Sequence, residues 1–289
     1  MKQGKNFWIA FGLSLVLFAA AGSAAEKNPA EGFGVSIGPS IVRLTGKPGE
    51  SQSAKIKVWN KSPNPMKFTL STRDVGNQAD AEGRLERIFP PPGTLSHSCA
   101  KWVLLQDKEF EIAPGGEKEV ELIVSSPADA SGGKAAVVFF TGVPGVPSSG
   151  GSQKEKPDAS IQIVPRLGAL VFFETEGTVK KTGKITDFSV QPLTESSTLE
   201  VRYFFENFGN TDIFVAGTFY ILDPNKALVA KDNLDSMRTF PGDKGLGKTR
   251  WKGILSPGSY HLVATFELGQ DTEEVIVKEA DFVIPPAAP

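Results

Sequence analysis

Cysteine is almost absent from this 289-residue chain, Cys99 being the only one. No internal disulfide can form, so apolar packing must hold whatever domains the chain builds. Free cysteine is among the most buried residue types, and Cys99 reads as a small core residue. Histidine is nearly as scarce, with only His97 and His261. His97 and Cys99 stand two apart and would share a face of a strand. Two ligands are too few for zinc, which wants about four. Neither histidine lies in the context of a nucleophile elbow or triad. Acidic residues such as Glu273 and Glu274 are scattered rather than paired for acid–base work. The sequence therefore offers no catalytic, cofactor-binding or metal set, and reads as non-enzymatic.

Long apolar runs are missing after the first 25 residues. Lys2 and Lys5 precede the uncharged stretch Phe7 to Ala21, and Ser23-Ala24-Ala25 follows as a peptidase site. That core falls short of the about 20 residues of a membrane span. Residues 1–25 are expected to be a cleaved signal peptide, leaving a periplasmic or otherwise exported chain with no stable membrane insertion. Cleavage leaves 29 basic residues against 33 acidic ones, a net charge of −4. Such a surface gives no electrostatic reason to bind nucleic acid.

Helical periodicity is the third absence. What is present is alternation in steps of two, broken by turn residues, the mark of half-buried antiparallel strands. Val35-Ser-Ile37, Ile41 to Leu44, Ala54-Lys-Ile56-Lys-Val58 and Met66-Lys-Phe68-Thr-Leu70 follow one another. Asp74 to Pro92 is polar, then proline-rich, and reads as an irregular excursion. Phe110 to Ile112, the turn Ala113-Pro-Gly-Gly116 and Val120 to Val124 read as a hairpin, proline and glycine suiting its corners. Ala135 to Val143 and a strand running past Arg166 into Phe173 form a ribbon around a Pro/Gly/Ser-rich loop, Pro144 to Ala159. Beyond Gly177 the pattern restarts, with strands at Ile185–Val190, Leu199–Phe205, Phe214–Leu222, Thr249–Leu255, Tyr260–Phe266, Val275–Val277 and Phe282–Ile284. The expected fold is all-β: two tandem immunoglobulin-like β-sandwich domains, 26–175 and 176–289.

Three motifs have plainer readings. Gly242-Asp-Lys-Gly-Leu-Gly247-Lys248-Thr249 fits the phosphate-loop pattern. It lacks the following helix such a loop needs, since Gly253 and Pro257 oppose one, and reads as a glycine-rich loop between strands. Asn60-Lys-Ser62 fits an N-glycosylation acceptor. Phe139-Phe140, Phe172-Phe173 and Tyr203-Phe-Phe205 read as strands covered on both faces, by core and by a neighbouring domain.

The run from Phe110 to Phe173 resembles the periplasmic chaperones of usher-type pilus assembly. The resemblance is carried by Phe110 to Gly116, Val120 to Pro127, the aromatic strand Val137-Val-Phe-Phe-Thr-Gly-Val-Pro144, the long loop, and Ile161-Gln-Ile163-Val-Pro-Arg166 leading to Phe172-Phe173. Val35-Ser-Ile37 sits where that family begins. The resemblance implies that the strand from Ile161 lends alternate apolar side chains to an incomplete partner subunit by strand addition. It also implies that a basic pair holds the partner's terminal carboxylate. By position the lending residues are Ile161, Ile163 and Leu167, and the basic residues Arg166 and Arg43. Pro165 departs from the pattern, since proline cannot donate to a ladder. The implied partner is another exported protein, pilin-like or a surface subunit. The second half is similar to immunoglobulin-like modules of bacterial envelope and cell-surface proteins, including WxL-associated ones. The alternative reading is accordingly an adhesion module recognising a wall polymer or another surface protein.

Overall fold

Apart from one 3-10 turn, Ala100–Trp102, every regular element among the described residues is a strand. The computed structural model describes residues 34–145, 163–193, 198–269 and 274–286. The first sandwich contains β1 (Val35–Gly38), β2 (Ile41–Gly46), β3 (Ser51–Asn60), β4 (Met66–Arg73), β5 (Gly76–Ala79), β6 (Leu85–Ile88), β7 (Val103–Leu105), β8 (Glu109–Ile112), β9 (Glu117–Ser125), β10 (Gly133–Pro144) and β11 (Arg166–Thr175). Its two sheets run β1-β3-β9-β7 and β2-β11-β10-β4-β8. The chain leaves the first sheet after β1 and enters the second at β2, with Pro39 at the crossing. Between the sheets lies a core that includes Ile56, Val58, Phe68, Leu122, Phe140, Val171 and Phe173.

The second sandwich contains β12 (Gly183–Leu193), β13 (Thr198–Asn207), β14 (Ile213–Leu222), β15 (Leu228–Thr239), β16 (Lys244–Trp251), β17 (Gly258–Glu267) and β18 (Val275–Ile284). Its sheets run β12-β13-β16 and β15-β14-β17-β18. Val201, Tyr203, Phe205, Phe219 and Phe266 fill its core. The fold is thus all-β, with two immunoglobulin-like sandwiches in series.

The structure redraws the sequence reading at four places. Phe110 to Val124 is no hairpin: β8 pairs with β4, and β9 pairs with β3 and β7 in the other sheet. The turn closes as expected, Gly116 N donating to Ala113 O at 3.0 Å. Proline–glycine chemistry serves an arch between sheets as well as a hairpin, because it fixes the reversal and not the pairing. The excursion after Asp74 is partly regular, for β5 and β6 form a small antiparallel hairpin. Gly245 to Thr249 lies within β16, paired with β13, so the phosphate-loop pattern is mostly strand. β15 escaped notice because it is an edge strand whose charged run, Lys231-Asp232-Asn233, is exposed.

Consecutive aromatics do cover both faces. Phe140 and Phe173 enter the first core, while Phe139 and Phe172 turn outward into a cluster with Val75, Ala135, Val137 and Phe240. Phe240 comes from the second sandwich, between β15 and β16, so this cluster joins the two. The β5–β6 hairpin reinforces the joint. Asn77 Nδ2 donates to Asp243 Oδ2 at 2.6 Å and to Arg238 O at 2.9 Å. Leu246 N donates to Gly83 O at 2.8 Å. Gly133, at the start of β10, permits close approach elsewhere along the seam, since a Cβ there would overlap the Thr211 hydroxyl.

Candidate functional site

β11 is paired unequally on its two sides, and this creates the candidate site. Against β10 it runs antiparallel from Arg166, opposite Thr141, to Glu174, opposite Gly133. Against β2 it runs parallel only from Leu170, opposite Ile41, to Thr175. Residues Arg166 to Ala169 therefore have a neighbour on one side alone among the described residues.

Hydrogen bonds fix which backbone groups face outward. Gly142 N donates to Pro165 O at 2.9 Å, and Leu170 N donates to Ser40 O at 2.9 Å. Backbone direction alternates along a strand. Pro165, Leu167 and Ala169 consequently turn their amide and carbonyl groups to β10, and Arg166 and Gly168 turn theirs to the open side. Pro165's missing donor is thus on the β10 side, where it leaves the Gly142 carbonyl without an opposing N–H. The outer ladder loses nothing. The proline that breaks the sequence pattern is compatible with an open edge.

Apolar side chains collect beside this edge. Ile163 and Val164 are about half exposed, at 49% and 46%. Leu167 is partly exposed, while Ala169 is buried in the sandwich core. Val143 on β10 and Ile41 on β2 are also exposed. Ile161 lies outside the described residues.

The two basic residues are not side by side. Arg166 stacks its guanidinium over Phe139, 3.9 Å from the ring centre. Arg43 lies opposite Phe172 in the β2–β11 register, six residues along β11 from Arg166 and thus roughly 20 Å away along the strand. Arg43 Nη2 donates to Asp212 Oδ2 at 3.0 Å, and its guanidinium sits 4.5 Å from the Phe172 ring centre. Arg238 of β15 bonds the same Asp212 oxygen and lies over both Phe172 and Phe214. Asp212 is buried, with two guanidiniums on one carboxylate, so a positive charge is left over in the cleft between the sandwiches. Asp212, Arg238 and Phe214 were not found from sequence. Their part depends on a partner residue some 170 positions away, and no local pattern signals it.

The other candidates have structural employment. His97 stacks on Phe240 at 4.7 Å and its Nε2 meets Val75 O at 3.1 Å. Cys99 packs with Ala100 and Ala136, and burial pushes its thiol up to about 12, far from a thiolate at neutral pH. Asn60 is buried, and its Nδ2 donates to the carbonyls of Asn64, Ile112 and Ala113. A glycan cannot be attached there without dismantling that turn. Among the described residues no group of three or more His, Cys, Asp or Glu side chains converges as a metal site, and no helix is long and apolar enough to cross a membrane.

No family model matches the chain, and no curated protein matches it. Solved structures do. The chain is similar to the class 5 fimbriae chaperone CfaA, at 12% identity and a TM-score of 0.46, over 87% of this chain and 100% of that one. It is similar to the YadV chaperone at 12% identity and a TM-score of 0.45, over 86% and 100%. A third match is the CsuC–CsuE chaperone–tip adhesion subunit pre-assembly complex from Acinetobacter baumannii Csu pili, at 9% identity and a TM-score of 0.41, over 85% and 97%.

Proposed function

We propose that this chain is an exported, non-enzymatic protein-binding protein, chaperone-like in the manner of pilus assembly, that takes a partner by strand addition along the open edge of β11. The observation that carries the reading is the unequal pairing of β11: paired with β10 from Arg166 onward, but with β2 only from Leu170 onward. Unpaired amide and carbonyl groups in a row are a template for another strand. Here Arg166 and Gly168 supply the backbone groups, and Ile163 and Leu167 the apolar side chains that would set register, continuing toward Ile161. An open edge is a liability unless something covers it, and a partner lacking a strand would gain most by doing so.

Arg43 is the proposed anchor for a carboxylate of that partner. It is 45% exposed and shares Asp212 with Arg238, so an incoming carboxylate could bind while Asp212 still neutralises Arg238. Arg166 flanks the edge and would steer acidic partners. The test is capture of partners from a periplasmic extract by the full mature chain and by Ile163→Asp. Capture of a pilin-like subunit, lost in a variant that melts like the parent, supports the reading. Unchanged capture by the folded variant, or abundant binding of wall polymer with no protein partner, overturns it.

A further inference from the structure

A cavity lies away from the β11 edge, where the β5–β6 hairpin of the first sandwich meets β15 and β16 of the second. It encloses about 600 Å³ and is walled by Arg84, Lys248 and Arg250, with Leu85, Met237 and Leu246 as its apolar part. Cavities of this size hold two or three side chains of a ligand. Three cations line it, Arg84 from the first sandwich and Lys248 and Arg250 from the second, in a chain of net negative charge.

Two of them, Lys248 and Arg250, are placed by a carboxylate that the fold itself supplies. Glu200 is buried and receives Lys248 Nζ at 3.2 Å and Arg250 Nε at 3.1 Å, with Arg202 Nη1 at 3.6 Å. One negative charge thus faces three positive ones; burial acts to raise its pKa, and the hydrogen bonds from Arg250 and Lys248 with their charges outweigh it and lower it. Among the described residues only the Nε of Arg250 is bonded, which leaves the fork of its terminal nitrogens for a further acceptor. Arg84 is 53% exposed and braced by Glu82. Guanidinium forks suit planar carboxylates, and this cluster already accommodates one. Asp235 also lines the cavity. Its charge disfavours a dianion such as phosphate more than a single carboxylate.

We propose that this cavity binds an acidic peptide segment, a glutamate or aspartate carboxylate between Arg84 and Arg250 with a neighbouring apolar side chain on Leu85, Met237 and Leu246. Because the walls come from both sandwiches, the bound segment also fastens them together. The site shares no residue with the β11 edge, so failure of one reading leaves the other intact.

Fluorescence anisotropy with a labelled, capped Leu-Glu-Glu-Leu peptide tests it on the mature chain. The expected result is salt-sensitive binding, at least about tenfold weaker for the Leu-Gln-Gln-Leu peptide and in Arg84→Gln and Arg250→Gln. Arg84→Gln is the safer variant, since Arg84 lies on the exposed hairpin and outside the Glu200 cluster. Equal binding of the two peptides overturns the proposal, as does undiminished binding in a folded Arg84→Gln chain. No peptide binding also overturns it, including the case where inorganic phosphate or anionic vesicles bind instead.

Discussion

Leu170 donates its N–H to the carbonyl of Ser40 at 2.9 Å, and this is the bond at which the second neighbour of β11 begins. Toward the N-terminus from Leu170 the strand keeps β10 and loses β2. The chain's crossing from β1 to β2 at Pro39 sets that point. Had the chain crossed into the second sheet a few residues earlier, the parallel register would place residues 37–40 beside Arg166 to Ala169 and the edge would be covered.

Asp212 is expected to be the most sensitive polar residue of the cleft. Asp212→Asn leaves Arg238, only 13% exposed, beside Arg43 with no carboxylate between them. Breaking a buried ion pair costs about 3 kcal/mol or more, and the exposure of Arg43 moderates this. Urea denaturation should place the loss near 2 to 3 kcal/mol. Arg43→Gln, which removes the more solvated partner, should cost less. Equal stability of Asp212→Asn and the parent chain would remove the ion-pair account.

Gly133→Ala puts a methyl group into the Thr211 side chain where the two sandwiches touch. Neighbouring backbone bonds, Gly133 N to Asn210 O at 2.9 Å among them, oppose a simple retreat. Overpacking of this kind costs about 1 to 3 kcal/mol. The double variant Gly133→Ala, Thr211→Gly should recover part of it in thermal melts.

Acid should loosen the same joint. His97 has its pKa lowered, first by burial, against smaller opposing effects of Val75 O, Asp243 and Asp74, with Lys134 adding to the lowering. A histidine depressed in the folded state contributes stability present above its unfolded pKa, about 6.5. That stability is lost as pH falls through the folded value. Asp243, raised by burial, acts with the opposite sign and in the carboxylate range. The melting temperature should therefore drop as pH falls below about 6.5, and His97→Phe should flatten that part of the profile.

Much of the fold was legible because alternation reports burial directly. The strands from Ala54 to Val58 and Met66 to Leu70 show it plainly. The ribbon of β10 and β11 was visible in the sequence, while the residues proposed for the site, Ile163, Leu167, Arg166 and Arg43, came from the family resemblance. What alternation does not carry is which sheet a strand joins. Phe110 to Val124 has hairpin chemistry and makes an arch, and β15 hides because exposed edges tolerate charge. The Arg43–Asp212 pair and the bonds of Glu200 to Lys248 and Arg250 were invisible for a third reason: they join residues distant in sequence, each unremarkable alone.

The most direct test of the central claim is amide hydrogen exchange along β11, read residue by residue in the free chain and after partner capture. In the free chain Leu167 and Ala169 should exchange slowly, their N–H groups being turned to β10, while Arg166 and Gly168 exchange fast. With a partner bound, Arg166 and Gly168 should slow by at least about tenfold. Slow exchange at Arg166 and Gly168 in the free chain, or fast exchange there in a complex that holds its partner, would contradict strand addition at this edge.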